Sequence, residues 1–293
     1  MQVEYQIGDQ TIFLNLKGEV VQGEEKTLLQ DDDNLLAHTP SGETGFIVAP
    51  FLTAKEFDSI YSGITSMVKA LIRKVKGEID DDFCLEHYHH YVTDSEHLQI
   101  AKLIQYGWNV SEFPIDFRKV EERISTIIGI DVTAEAHHLN PESFISGLYA
   151  NDKKVQIFNL RIVRPQKLLD SNPPHRDVWI DRLRNAINIY CPICGSTAKS
   201  SLPLIPYSHH FKESEIERTS NGATLNGTSY SVPCVTLLQG KPPHLIRPNP
   251  KQNELLLFSP YLIHGGGYNF EEEVTRVSLE IRFWRSPDIL QPK

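Results

Sequence analysis

Leu255-Leu256-Leu257-Phe258-Ser259-Pro260-Tyr261-Leu262-Ile263-His264-Gly265-Gly266-Gly267 carries the strongest pattern in this chain. Its short apolar run predicts a strand over 255–258. The strand feeds a histidine, and the three glycines after it let the backbone turn tightly and leave open space beside the imidazole. Comparable segments stand at 155–163, 178–180, 186–193, 202–205, 230–238 and 274–284, divided by Gly, Pro, Asn and Ser. Seven such short strands with turn-rich connections predict a β-sandwich or barrel.

Ahead of this half the spacing is helical. After a short apolar strand at 45–50, Thr53 and Glu56 form a capping box, which predicts a helix start. Phe57, Ile60, Ile64, Met67, Val68, Leu71 and Val75 follow helical spacing, and Gly77 stops it. Further helices are predicted at 94–105, 114–128 and 141–149, the last capped by Asn140 with Pro141 in its first turn. Residues 1–44 read as an accessory segment: a hairpin around Gly8-Asp9, then loops at Asp31-Asp32-Asp33-Asn34 and Pro40-Ser41-Gly42. The predicted layout is that segment followed by one domain over 45–293, helical over 45–150 and all-β over 151–286.

With 293 residues, 40% hydrophobic and 23% charged, the chain has the composition of a globular protein, not of a disordered or fibrous one. A formal net charge of −9 without a basic patch argues against nucleic acid as a partner. No basic and apolar leader stands at the start, and no run approaches eighteen apolar residues, so neither a secretory signal nor a membrane span is expected. Four cysteines do not make a disulfide framework, and a cytoplasmic location follows as the expectation.

Three motifs carry chemistry. In Pro173-Pro174-His175-Arg176-Asp177-Val178-Trp179, His175 and Asp177 would share one face of an extended chain, where an imidazole and a carboxylate can reach one metal ion. The same pair is also consistent with a surface ion pair, and His264 with a core histidine beside a glycine turn. In Thr275-Arg276-Val277-Ser278-Leu279-Glu280-Ile281-Arg282-Phe283, the polar residues share one strand face. Arg276 with Ser278 two positions on can grip a carboxylate, whereas Arg282 reads as part of an exposed polar face. Taken together, two histidines and a carboxylate make a facial triad that leaves positions open on a non-haem Fe(II).

Other signals are weaker. Cys191-Pro192-Ile193-Cys194 looks like half a zinc knuckle but lacks a second pair. Glu86-His87-Tyr88-His89-His90 reads as a solvated or substrate-facing segment. Arg161, Arg164, Arg176, Arg182 and Arg184 gather around the His-x-Asp stretch, as rim charge or as the mouth of a site for an anionic compound. Trp179, two past Asp177, would wall a pocket if the strand continues, or pack in the core.

The constellation resembles the Fe(II)/2-oxoglutarate-dependent dioxygenase superfamily, and within it the phytanoyl-CoA dioxygenase-like branch. Gly45-Phe46-Ile47-Val48 through Phe57 looks like the branch's opening strand and helix. Leu202-Pro203-Leu204-Ile205-Pro206-Tyr207-Ser208-His209 is similar to its strand ending in Pro-Gly-Ser-His, with Tyr207 in the glycine's place. Asn253-Glu254-Leu255 through His264 resembles its last ligand strand, with Asn-Glu where Gly-Asp is common. The likeness runs from about Gly45 to Arg285, and its departures fall in turns. It implies a mainly β, α+β fold: a double-stranded β-helix (jelly-roll, cupin-like) core with supporting N-terminal helices. It also implies His175, Asp177 and His264 as iron ligands, and Arg276 with Ser278 on the distal carboxylate of 2-oxoglutarate. O2 is the other cosubstrate, and succinate and CO2 are released. Related halogenases carry a small residue where this chain has Asp177, so hydroxylation is favoured. Arg161, Trp179 and His209 are the candidate contacts to a small polar or anionic substrate. A non-catalytic sensor of 2-oxoglutarate on the same fold is the alternative.

Overall fold

A computed structural model describes residues 1–30, 33–104, 117–134, 159–180, 183–265 and 267–286. The predicted helix at 141–149 lies outside them. The chain opens with strands β1 (Gln2–Ile7), β2 (Gln10–Lys17) and β3 (Val20–Gln22), then β4 (Phe46–Pro50). Four helices follow: α1 (Ala54–Lys76), α2 (Tyr88–Tyr91), α3 (Asp94–Ile104) and α4 (Phe117–Ile128). After them come β5 (Val132–Ala134), β6 (Asn159–Val163), β7 (Ala186–Cys194), β8 (Ile216–Thr219) and β9 (Ala223–Leu225). The last strands are β10 (Thr228–Tyr230), β11 (Val235–Leu238), β12 (His244–Leu245), β13 (Glu254–Phe258) and β14 (Arg276–Arg285).

α1 begins and ends where its sequence says. Thr53 and Glu56 satisfy each other's backbone N–H groups, and the Gly77 N–H closes the last turn on the Arg73 carbonyl. Its buried stripe of Phe57, Ile60, Ile64, Val68 and Ile72 packs on one face of the principal sheet, whose strands run β4-β13-β7-β14-β5, with β6 also on β14. The sheet offers Ile187, Ile189 and Ile193 from β7 and Val277, Leu279, Ile281 and Phe283 from β14 to that interface. At roughly 1.5–3 kcal/mol for each large side chain withdrawn from water, this is the main adhesive of the fold. All nine residues of β7 are buried, because its second face looks into the molecule as well.

A second layer closes over that inner face. It holds a five-stranded sheet, β10-β9-β2-β1-β12, and a three-stranded one, β11-β8-β3. Between the layers, single antiparallel bridges run Ile246–Leu204–His264–His175. The result is a mainly β, α+β fold: a double-stranded β-helix core with helices covering the outer face of the principal sheet.

The hairpin at Gly8-Asp9 forms with β1 and β2 in register. Its strands belong to the second layer: β1 runs parallel to β12, β2 pairs with β9, and the Tyr5 hydroxyl donates to the Val235 carbonyl at 2.7 Å. Residues 178–180 do not form the predicted strand. The Asp177 and Val178 N–H groups both donate to the Pro260 carbonyl, at 3.0 and 3.3 Å, and the Ile180 N–H turns back to Asp177 at 2.9 Å. A tight helical turn over Asp177–Trp179 results. The segment at 202–205 keeps only isolated bridges at one residue, Leu204, and the one at 230–238 is split into β10 and β11, with Pro233 between them. No helix among the described residues is long and apolar enough to cross a membrane.

Candidate metal centre

His175 and His264 face each other across one antiparallel bridge and exchange both backbone hydrogen bonds, at 2.9 and 3.0 Å. The rings therefore leave the two backbones side by side, with centroids 4.5 Å apart. His175 Nδ1 lies 2.7 Å from the Pro173 carbonyl, and His264 Nδ1 lies 3.0 Å from the Leu262 carbonyl. A carbonyl only accepts, so each Nδ1 carries a proton and Nε2 is the atom each ring presents to the site. Both Nε2 atoms converge on Asp177 Oδ1, at 3.3 and 3.9 Å. The three ligand atoms lie within 4.8 Å of one another, and all three residues are buried.

The other carboxylate oxygen is tied back. Asp177 Oδ2 accepts from Asn188 Nδ2 at 3.0 Å, and from Arg282 Nη2 and Nε at 2.9 and 3.2 Å. Oδ1 alone is left to point at the imidazoles. Burial works to raise the Asp177 carboxyl, but the Arg282 guanidinium beside it holds it well below the usual carboxylate range. Burial, with His175 beside it, pushes His264 down to about 4, so it stands as a neutral base. Both protonation states are those a metal requires of its ligands.

Glycines shape the space. Gly265 has φ +106°, and a Cβ there would sit 2.6 Å from the Pro173 carbonyl oxygen and 3.1 Å from His175 Nδ1. A Cβ on Gly267 would come within 3.1 Å of Arg276 Nη1. The triad opens into a cavity that Arg276, Arg282, Glu280 and Arg161 also line.

Arg276 is fully buried. Its Nη1 donates to the Ser200 carbonyl at 2.7 Å, and its guanidinium stands 5.8 Å from the Tyr190 ring. Its Nε and the Ser278 hydroxyl have no hydrogen-bond partner, though both are buried. Burial lowers the Arg276 pKa from its ordinary value, as expected of a cation lacking a carboxylate at ion-pair distance. Arg161 lines the cavity from β6. There it is held by Glu280, with Nε to Oε1 at 2.9 Å and Nη2 to Oε2 at 3.2 Å, and by Asn172.

Two expected substrate contacts stand elsewhere. The turn at Asp177 swings Trp179 away from the triad, since alternation of faces holds only while the chain stays extended. Its Nε1 donates to Glu213 at 3.0 Å, and Arg218 lies over its ring. His209 is enclosed, its Nε2 3.1 Å from the Gly42 carbonyl oxygen, and a Cβ on Gly45 would meet its Nδ1 at 2.7 Å. It packs the loop ahead of β4 and does not line the cavity. Arg164 and Arg176 are not rim charges either. Arg164 is buried on Asp170, and Arg176 is buried on Glu213 and the Ser208 carbonyl.

Arg282 was expected on an exposed face, yet it joins the site through Asp177. Asn188 gave a signal that went unread: it is a lone amide inside the apolar run of β7, and a buried amide needs a partner. The four cysteines are free, burial pushes Cys191 up to about 12, and no cysteine joins a metal-competent group among the described residues.

No protein-family model matches the sequence, and no curated protein matches it. Among solved structures the chain is similar to AviO1 from Streptomyces viridochromogenes Tue57, at 14% identity over 86% of this chain and 93% of that one, with a TM-score of 0.45. It is similar to EctD from S. alaskensis at 13% identity, over 92% and 84% of the two chains, with a TM-score of 0.42. A third is the non-heme alpha ketoglutarate dependent epimerase SnoN from nogalamycin biosynthesis, at 10% identity over 83% and 79%, with a TM-score of 0.37. At such distances the chemistry is read from the residues themselves.

Proposed function

We propose that this chain is a non-haem Fe(II)- and 2-oxoglutarate-dependent oxygenase of the phytanoyl-CoA dioxygenase-like kind, hydroxylating a small polar or anionic molecule with release of succinate and CO2. One observation carries this: the buried His175–Asp177–His264 triad and the buried, carboxylate-free Arg276 open into the same cavity. The residues fit the ion. Two imidazoles and one ionised carboxylate, all from one side, are the donor set of an open iron(II) site.

His175 and His264 present Nε2, each ring fixed by a backbone carbonyl behind it. Asp177 presents Oδ1 alone, because Asn188 and Arg282 occupy Oδ2. Arg276 and Ser278 have the donors and the charge to hold the distal carboxylate of 2-oxoglutarate, and their unpartnered Nε and Oγ are the groups such a carboxylate would satisfy. Phe258 packs edge-on against the His264 ring at 4.7 Å and keeps water from that flank. Arg161 and Glu280, paired at the cavity wall, give a polar substrate ionic and hydrogen-bonding partners. Iron(II), when bound, supplies the redox chemistry that couples decarboxylation of 2-oxoglutarate to oxidation of the substrate by O2. The four free cysteines support a cytoplasmic setting.

Anaerobic addition of iron(II) and 2-oxoglutarate should give a visible charge-transfer band, and oxygen with a substrate panel should then give succinate. Arg276→Ala should raise the 2-oxoglutarate requirement about thirtyfold or more while leaving iron affinity nearly intact. A band without succinate across a broad panel would favour the non-catalytic sensor, and no band at all would remove the cosubstrate assignment.

A further inference from the structure

Outside this cavity, a second set of two imidazoles and a carboxylate assembles where residues 85–91 meet the loop leading into Arg276. That histidine-rich segment is a helical turn, with α2 at its end, and not a strand. The Thr275 N–H donates to the Glu86 carbonyl at 2.7 Å, and the Thr275 hydroxyl accepts from the His89 N–H at 3.3 Å. The same hydroxyl lies 2.9 Å from His89 Nδ1. Accepting the Nδ1 proton, it would orient the ring and leave the lone pair on Nε2, as partners behind metal-binding histidines do. His89 Nε2 is itself buried and has no hydrogen-bond partner. The His90 ring lies 4.0 Å from the His89 ring, and His90 Nε2 stands 3.7 Å from Glu273 Oε2. The ligand atoms of His89, His90 and Glu273 lie within 4.8 Å of one another. The Glu273 side chain is exposed, so its carboxylate has room to turn toward the two imidazoles.

We propose that His89, His90 and Glu273 form a second metal site, built for zinc(II), that ties the 85–91 segment to the loop carrying Glu273 and Thr275, just ahead of Arg276. Imidazole with carboxylate suits a borderline ion, whereas calcium and magnesium take oxygen ligands. Zinc stands above iron(II) in affinity for such donors, and water would complete a tetrahedral shell.

The test is a zinc titration of the untagged, metal-stripped chain by calorimetry, with thermal melting alongside. The intact chain should bind two equivalents, one of them lost in Glu273→Gln, whose exposed side chain makes misfolding no explanation. His89→Ala should weaken that equivalent by more than the ten- to hundredfold typical of residues behind the ligands. A chain carrying His175→Ala and His264→Ala should keep this equivalent and be raised in Tm by zinc, so that failure of the iron site and failure of this one are told apart. Loss of all zinc binding in the chain carrying His175→Ala and His264→Ala, or an equivalent in that chain untouched by both Glu273→Gln and His89→Ala, would overturn the proposal.

Discussion

His175, Asp177 and His264 are all buried, whereas of His89, His90 and Glu273 only the first is even half covered, and the Glu273 side chain is 77% exposed. The donor sets are the same, and what stands behind them differs. In the deep site each imidazole has a backbone carbonyl behind it, and the spare carboxylate oxygen is held by Asn188 and Arg282. In the outer site His89 alone is braced, by Thr275. The lesson is that ligand identity sets which ions can bind, while burial and outer partners set how rigid the site is and what chemistry it can support. A braced, water-shielded triad with an adjacent cation suits oxidation of an organic molecule. A solvent-facing one suits a structural tie.

The contrast can be broken most forcefully at the ligands. His175→Ala or His264→Ala should remove measurable iron(II) binding while leaving the second, outer equivalent of zinc in place. Retention of iron in either variant would strike that residue from the deep set. A smaller effect is expected one layer out. Asn188→Ala and Arg282→Leu should each weaken iron(II) by about ten- to hundredfold, because Asp177 Oδ2 is then released and the carboxylate loses its one-oxygen orientation. If both variants bind iron as the wild type does, the bracing of Asp177 does not distinguish the two sites.

A third test sharpens the contrast between buried and exposed imidazoles through pH. Burial, with His210 beside it, holds His209 down to about 4, against about 6.5 in an unfolded chain. Its contribution is therefore complete above pH ~6.5 and is lost as pH falls toward 4, where the unfolded chain binds a proton the native one refuses. The loss is at most about 3 kcal/mol for this group. Thermal melts from pH 7 to 4 should show it, and His209→Asn should flatten the slope. An unchanged slope would mean that His209 is not held neutral.

Much of this was legible beforehand, for identifiable reasons. The ends of α1 depend on contacts within one turn, so Thr53, Glu56 and Gly77 declared them. The triad was legible because two ligands are separated by one residue and the third is marked by glycines. What escaped depends on partners distant in the chain. Trp179 left the site because Pro260 draws the backbone at Asp177 into a turn. Arg282 entered it because Asp177, 105 residues earlier, faces it across the cavity. Strands of three residues such as β9 and β10 are too short to show a period, and nothing local announces that β1 and β2 will find β12 and β9 as neighbours.

The reciprocal hydrogen bonds between His175 and His264 make the deep site a gauge of assembly. Side chains alternate faces along a strand, so slipping this pairing by one residue would set His175 opposite Ile263 or Gly265 and turn one imidazole away. A chain folded in the wrong register would be unable to hold the ion. Metal therefore stabilises the correctly registered chain selectively, by an amount that grows with its free concentration. Iron loading, followed during refolding, would count the molecules whose strands have closed on the right partner.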